Sequence, residues 1–167
     1  MTNRLFLLRH AKAQWAQPGG RDYDRALDPA GRADADIIAA GMLLSGYVPD
    51  CVLCSGARRA RETWEIASRH LSVEDVRFLD SLYSSDAAGY LDIVRGVGQA
   101  STLVVGHNPM MEDLAMALAG DGGRDALARV AGGFPTCGLA VLRFEASLDR
   151  IAPSAGYLED FVSPRDR

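Results

Sequence analysis

A chain of 167 residues with 48% hydrophobic content is the size of one domain and buries about two thirds of its unfolded surface on folding. Its formal net charge of −4 excludes a general nucleic-acid binder, because counterion release needs a basic footprint, so any anion site has to be local. No run is long enough to span a bilayer, and the apolar start is interrupted by Arg9 too early for a secretory signal, which makes the cytoplasm the expected location and a membrane no expected partner.

Apolar strand-like runs alternate with helix-like segments along the chain, the pattern of a mostly parallel sheet covered on both faces. The expected architecture is a single-domain three-layer α/β/α sandwich over residues 1–167. Arg4 to Leu8 reads as the first strand, followed by a polar loop with Gly19-Gly20 and the charged string Arg21-Asp22-Tyr23-Asp24-Arg25, long enough to overhang a pocket. Asp28 is placed to cap a helix with Pro29 as its first residue; Ile37, Ala40, Gly41 and Leu44 recur at helical spacing until Gly46 ends it.

Asp50 to Cys54 reads as the second strand, and Ala60, Trp64, Ala67 and Leu71 mark the buried stripe of the helix behind it. Cys51 and Cys54 have the C-x-x-C spacing, but Val52-Leu53 suits a buried strand and no second pair completes a zinc site. With Cys137 they form an odd, sparse set that fits reduced thiols. Val76 to Leu79 is a short third strand leading to Asp80, and a helix capped near Ser85 runs through Leu91 and Val94 to Gly96.

The β-branched run Thr102 to Val105 is the fourth strand. It stops at Gly106-His107, after which Asn108 caps a helix with Pro109 first, Met111, Leu114 and Leu118 as its stripe and Gly120 as its stop. Asp125 to Val130 adds a turn of helix, and Cys137 to Phe144 and Arg150 to Ile151 read as closing strands.

If the first four strands are parallel, they end at Arg9-His10, Ser55, Asp80 and His107 on one carboxyl edge, where α/β proteins bind ligands. Arg58, Arg59 and Arg61 open the helix after the second strand, so at least one reaches back over that edge toward its anion-attracting amino end. Two histidines and two arginines round one point suit a dianionic phosphoryl group, because guanidinium forks match phosphate oxygens and stay charged. Such a pocket lowers histidine pKa values; a neutral imidazole is then a nucleophile toward phosphorus while its partner donates a hydrogen bond. That route requires no metal and no cofactor. His70, near a helix end, fits a solvated or capping role, and Asp34 and Asp36 fit a solvated helix face.

Three motifs carry a resemblance. Leu8-Arg9-His10 resembles the nucleophile signature of the histidine phosphatase superfamily, Ser55-Gly56-Ala57-Arg58-Arg59-Ala60-Arg61-Glu62-Thr63 its S-P-x-x-R-A-x-Q-T element, and Val105-Gly106-His107-Asn108-Pro109 its second histidine motif. The short chain and the string Asp24-Arg25-x-Leu27-x-Pro29-x-Gly31 resemble the SixA-like phosphohistidine phosphatases. The resemblance implies that His10 becomes phosphorylated, that Arg9 and Arg59 clamp the phosphoryl group and that His107 hydrogen-bonds it. Arg25, Arg58 and Asn108 are further candidates for substrate contact. Asp80 stands near where larger relatives offer a general acid, although it can equally cap the next turn.

Two departures stand out: Ala11 replaces the glycine after the nucleophile, and Gly56 replaces the proline after Ser55, which implies altered loop geometry rather than lost chemistry. The chain also lacks the insertion between the third and fourth strands that forms a lid in bigger relatives, and an open cleft admits a protein substrate. The resemblance therefore implies a metal-independent phosphatase acting on a phosphohistidine of a partner protein, such as a phosphotransfer domain or carrier. A small phosphomonoester is the rival substrate, mutase activity fits the motifs less well, and a noncatalytic phosphate-sensing module needs no His10.

Overall fold

The computed structural model describes residues 3–166 of the single domain expected over the whole chain. Its elements in chain order are β1 (Asn3–Arg9), α1 (Pro29–Leu44), β2 (Cys51–Ser55), α2 (Arg58–Ala67), β3 (Asp75–Leu79), α3 (Ser81–Ser84), α4 (Ala87–Val97), β4 (Ser101–Gly106), α5 (Met110–Leu118), β5 (Ala119–Gly122), α6 (Arg124–Ala131), β6 (Leu139–Phe144) and β7 (Gly156–Val162). They build one seven-stranded sheet in the order β3-β2-β4-β1-β6-β7-β5. Only β6 runs against the rest, because it pairs antiparallel with both β1 and β7 while the other pairings are parallel.

Strands buried on both faces need apolar side chains at every position rather than at alternate ones. β1 shows how this divides the interior: Leu5 and Leu7 join the core under α4, α5 and α6, whereas Phe6 and Leu8 join the core under α1 and α2. Trp64 is buried in the second of these, as the stripe on α2 predicted. Truncating Leu7 to Ala removes buried methyl groups from a filled interior and costs about 2–5 kcal/mol. Among the described residues, no helix is long and apolar enough to cross a membrane.

Four sequence expectations are corrected. The core face of α1 carries Gly31, Ala35, Ile38, Ala39, Gly41 and Met42, so of the expected stripe only Gly41 is buried, not Ile37, Ala40 or Leu44; Leu44 is 88% exposed. This alanine-rich helix carries large apolar side chains on two faces, Ile38 and Met42 on one and Ile37 and Leu44 on the other, and packing on the sheet decides which is covered. The cap of α4 is Asp86, whose carboxylate accepts from the Gly89 N–H at 2.9 Å, not Ser85. α5 ends at Leu118, just before the expected stop at Gly120, but the chain then passes straight into an unexpected strand, β5, whose Ala-Gly-Asp-Gly sequence lacks strand-forming residues and is held by pairing with β7. Arg150 closes a short 3-10 turn, and the last strand is β7, where Glu159 and Asp160 interrupt the apolar pattern. Glu159 sits there because Arg4 and Arg143 both pair with it, at 3.2 Å and 3.3 Å.

Parallel pairing brings the ends of β1, β2, β3 and β4 to one edge of the sheet. Two contacts shape the loop behind β1. The Asp28 N–H donates to the Lys12 carbonyl at 3.0 Å, and a Cβ at Gly31 would lie 2.1 Å from that same oxygen, so only glycine lets α1 start against this loop. Asp28 caps α1 as expected, accepting from the Gly31 N–H at 2.7 Å.

Candidate active site

A cleft of about 900 Å³ opens at this carboxyl edge, with Arg9, His10, Arg59 and His107 all in its wall. The four residues come from the ends of β1 and β4 and the first turn of α2, so sheet order rather than sequence proximity assembles them. A second cavity of about 580 Å³ borders the Gly132–Pro135 loop and contains neither histidine.

His10 is 9% exposed, and its Nδ1 lies 2.7 Å from the Ala11 carbonyl. A carbonyl only accepts, so Nδ1 carries the ring proton and Nε2 keeps its lone pair. That lone pair accepts from the Arg59 Nε–H at 3.3 Å. Burial above all, with the nearby charges of His107, Arg59 and Arg9, pushes the His10 pKa down to about 3, although the Ala11 bond works the other way. The imidazole is therefore neutral at physiological pH.

His107 is 5% exposed, its ring centroid 5.2 Å from that of His10. Burial first, then Arg59 and Arg9, lowers its pKa to about 4 against the pull of Asp22. Its Nδ1 is 3.5 Å from Arg59 Nη2 and its Nε2 is 2.7 Å from Ser55 Oγ. Ser55 Oγ also accepts from the Ala57 N–H at 3.2 Å, which leaves the hydroxyl proton free to be given to His107. A guanidinium only donates, so beside Arg59 the Nδ1 accepts and Nε2–H donates to Ser55. The serine serves the other tautomer as well, which an oxyanion displacing the Arg59 contact selects by drawing the proton to Nδ1.

Arg59 is 7% exposed, and each of its three nitrogens makes a hydrogen bond. Besides His10, it donates from Nη1 to the Asp22 carbonyl at 2.8 Å and from Nη2 to the Asp22 carboxylate at 3.0 Å. Tyr83 donates to the same carboxylate at 2.9 Å, and Arg25 from the far side at 3.0 Å. Burial opposes ionisation of Asp22, but the bonds from Tyr83 and Arg25 and the Arg59 charge prevail and hold its pKa at about 2. Arg9 donates from Nη1 to the Phe134 carbonyl at 2.9 Å, whereas its buried Nε has no hydrogen-bond partner. An orphaned cationic donor beside two guanidinium-flanked imidazoles suits a phosphoryl oxygen.

Thr63 joins the histidine loop to α2: its hydroxyl accepts from the Ala11 N–H at 3.0 Å and donates to the Arg59 carbonyl at 2.7 Å. Glu62, which stands where the motif has glutamine, accepts from the Leu27 N–H at 2.8 Å. Its negative charge also draws Arg58 to 3.6 Å and Arg32 to 3.7 Å.

Arg25 and Asn108 line the cleft, the latter giving its amide to the Phe134 carbonyl at 3.2 Å. Arg58 and Asp80 do not line it, which corrects the expectation that they face the substrate. Arg58 is turned toward Glu62, and Asp80 accepts from the Tyr23 hydroxyl at 2.6 Å. The Asp80–Tyr23 contact lies over Gly56, where a Cβ would come within 2.0 Å of the Asp80 carboxylate and 2.4 Å of the Tyr23 oxygen. A larger residue at Gly56 would require the Asp80 and Tyr23 side chains to move aside. His70 pairs with Asp36 at 2.7 Å, outside the cleft, and ties the end of α2 to α1.

Sequence reasoning missed Asp22 and Tyr83. Asp22 was visible only as one of several charges in a loop, and Tyr83 belongs to a four-residue helix without a periodic signal. Among the described residues, no three His, Cys, Asp or Glu side chains converge in a way that could hold a metal ion.

Comparison with known proteins adds the following. The family model described as histidine phosphatase superfamily (branch 1) matches residues 5–90. Over 166 residues the chain is 37% identical to an uncharacterized protein of Mycobacterium tuberculosis (strain H37Rv), covering 95% of this chain and 100% of that one. Among solved structures, it is similar to a protein of Agrobacterium tumefaciens named as a phosphohistidine phosphatase, SixA, with a TM-score of 0.83, 39% identity and 98% and 99% of the two chains covered. A protein of Nakamurella multipartita named likewise superposes with a TM-score of 0.79 at 31% identity, covering 98% and 97%.

Proposed function

This chain belongs to the histidine phosphatase superfamily, in its short SixA-like branch, and from that premise we propose that it hydrolyses a phosphohistidine carried by a partner protein, with His10 taking up the phosphoryl group. Histidine Nε2, held as a lone pair by the Nδ1 bond to Ala11, attacks phosphorus while Arg9 and Arg59 clamp the equatorial oxygens. His107 donates from Nδ1 to the transferring group. The substrate P–N bond breaks, and its electron pair stays on the departing imidazole nitrogen. Water then attacks the phosphorus on His10, the electron pair returns to Nε2, and orthophosphate leaves with both protons of the water.

The observation that carries the choice of substrate is the absence of a poised acid among the described cleft residues. Two carboxylates line the cleft: Asp22, held ionised at about 2, and Asp28, which accepts from the Gly31 N–H and faces the Lys12 ammonium at 3.8 Å; both imidazoles are neutral. An alkyl phosphate needs a proton delivered to its poor leaving group. A phosphohistidine whose other ring nitrogen is protonated does not, because it departs as a neutral imidazole.

The experiment is to give the protein a phosphohistidine substrate, an aryl phosphate and an alkyl phosphate in the presence of a chelator. Turnover of the first two far above the third, lost in His10→Ala, is expected. Faster hydrolysis of the alkyl ester points to a small-molecule phosphomonoesterase. No turnover of any of them points to a phosphate-sensing module.

A further inference from the structure

Trp15 is 90% exposed although it belongs to the wall of the cleft that holds both histidines, and none of the chemistry above uses it. The chain's other tryptophan, Trp64, is buried. An indole offers about 150–250 Å² of contact surface, so leaving one in water at the mouth of a site forgoes a large gain that a bound partner would recover.

The segment bearing Trp15 is held rather than loose. Ala13 forms an isolated bridge with Leu27, the Gln14 N–H donates to the Ala26 carbonyl at 2.8 Å, and Arg25 Nε donates to the Gln14 carbonyl at 2.8 Å. The indole is thereby presented from a fixed base, which lowers the entropic cost of using it in binding.

The charges nearby narrow the kind of partner. Lys12 is 3.8 Å from Asp28, Arg25 is 3.0 Å from Asp22 and Arg21 is 2.9 Å from Asp24. Asp22 is shared by Arg25 and Arg59, and Arg9 has no carboxylate partner among the described residues, so the spare positive charge of the wall lies with the phosphoryl site. Lys12 and Arg21, by contrast, are each answered by a carboxylate and offer a flanking side chain little charge. Met110 adds apolar surface to the same cleft. At about 900 Å³ the cleft is near the top of the ~300–1,000 Å³ range of drug-sized ligand sites, so a phosphorylated imidazole alone leaves most of its wall uncovered.

We propose that Trp15 is the docking anchor for the protein substrate, packing against an exposed apolar side chain next to the phosphohistidine while the phosphorylated ring enters the cleft. This rests on the phosphohistidine reading above and specifies how the partner is recognised.

The test uses two peptides phosphorylated on a single histidine with phosphoramidate, one with leucine flanking that histidine and one with serine, together with free phosphohistidine. The wild type is expected to favour the leucine peptide over the serine peptide about tenfold in kcat/KM, chiefly through KM. Trp15→Ala should abolish that preference and leave free phosphohistidine within twofold of the wild type. Trp15→Phe should restore most of it. Because Trp64 is already buried, a blue shift of tryptophan emission on adding the dephosphorylated leucine peptide reports burial of Trp15. Equal rates on the two peptides for the wild type, or equal losses on all three substrates in Trp15→Ala, overturn the docking role while leaving the phosphohistidine reading intact. Turnover of aryl phosphate with none of any phosphohistidine overturns both.

Discussion

Asp22 and Arg59 form the contact on which the cleft is organised: the carboxylate and the carbonyl of one residue take both terminal nitrogens of the other, at 3.0 Å and 2.8 Å, leaving Arg59 Nε directed at His10 Nε2 at 3.3 Å. A guanidinium has rotamer freedom that this grip removes, so the clamp is already oriented before substrate arrives. Asp22→Ala should therefore lower kcat/KM on an aryl phosphate by about 10–100-fold, the usual cost of losing an outer partner of a working group. Steady-state kinetics on the purified variant checks this, and an unchanged rate would show that Arg59 needs no such support.

The pH profile follows from the depressed histidines. His10 at about 3 and His107 at about 4 stay neutral far below the ordinary histidine value near 6.5, so the nucleophile's lone pair is retained in mild acid. Rates on an aryl phosphate should show no loss near pH 6.5 from His10 titration, with the acid limb displaced toward pH 4. Stability moves in the same sense. The unfolded chain binds these protons below about pH 6.5 while the folded chain refuses them until about 3–4, so stability is full above that window and falls as pH drops through it. Urea midpoints between pH 7 and pH 4 should decline accordingly.

Asp80 is engaged by Tyr23 at 2.6 Å and lies outside the cleft wall. Asp80→Asn is expected to leave turnover of aryl phosphate and phosphohistidine within about twofold. A drop of a hundredfold or more confined to substrates with poor leaving groups would make Asp80 a proton donor after all.

Thr63 is buried and bonded to both the histidine loop and the Arg59 carbonyl. Thr63→Val keeps the shape but strands the Ala11 N–H, a buried donor whose loss of a partner costs about 1–3 kcal/mol. Denaturant unfolding measures this, and the slackened loop should lower kcat as well.

How much of this was legible beforehand differs by residue. The first turn of α1 was readable because Asp28 and Pro29 act on backbone within three positions of themselves, whereas the need for Gly31 comes from the distant Lys12 carbonyl. The stripe on α2 was readable because Ala60, Trp64 and Ala67 follow the helix's own period, although Leu71, also buried, lies past the end of the helix. The core face of α1 was not, since Ile37 and Leu44 are as apolar as the residues that do face the sheet. β5 and β7 escaped notice because edge pairing in one, and the cationic partners of Glu159 in the other, stand in for an apolar pattern.

By itself, the order of residues determined which side chains terminate the four parallel strands, and so that Arg9, His10 and His107 reach one edge with Arg59 behind them. Strand ends and helix starts are written locally, in apolar runs and the caps that follow. Only the tertiary structure decided what surrounds those groups: that Asp22 and Tyr83 close on Arg59, that Asp80 belongs to Tyr23, and that Trp15 is left facing water. These contacts join residues far apart in sequence, from the loop after β1 and from the starts of α2 and α3. Hydrogen bonds and exposure at such distances depend on how the sheet orders its strands and how each loop returns over its edge, and no local pattern encodes that.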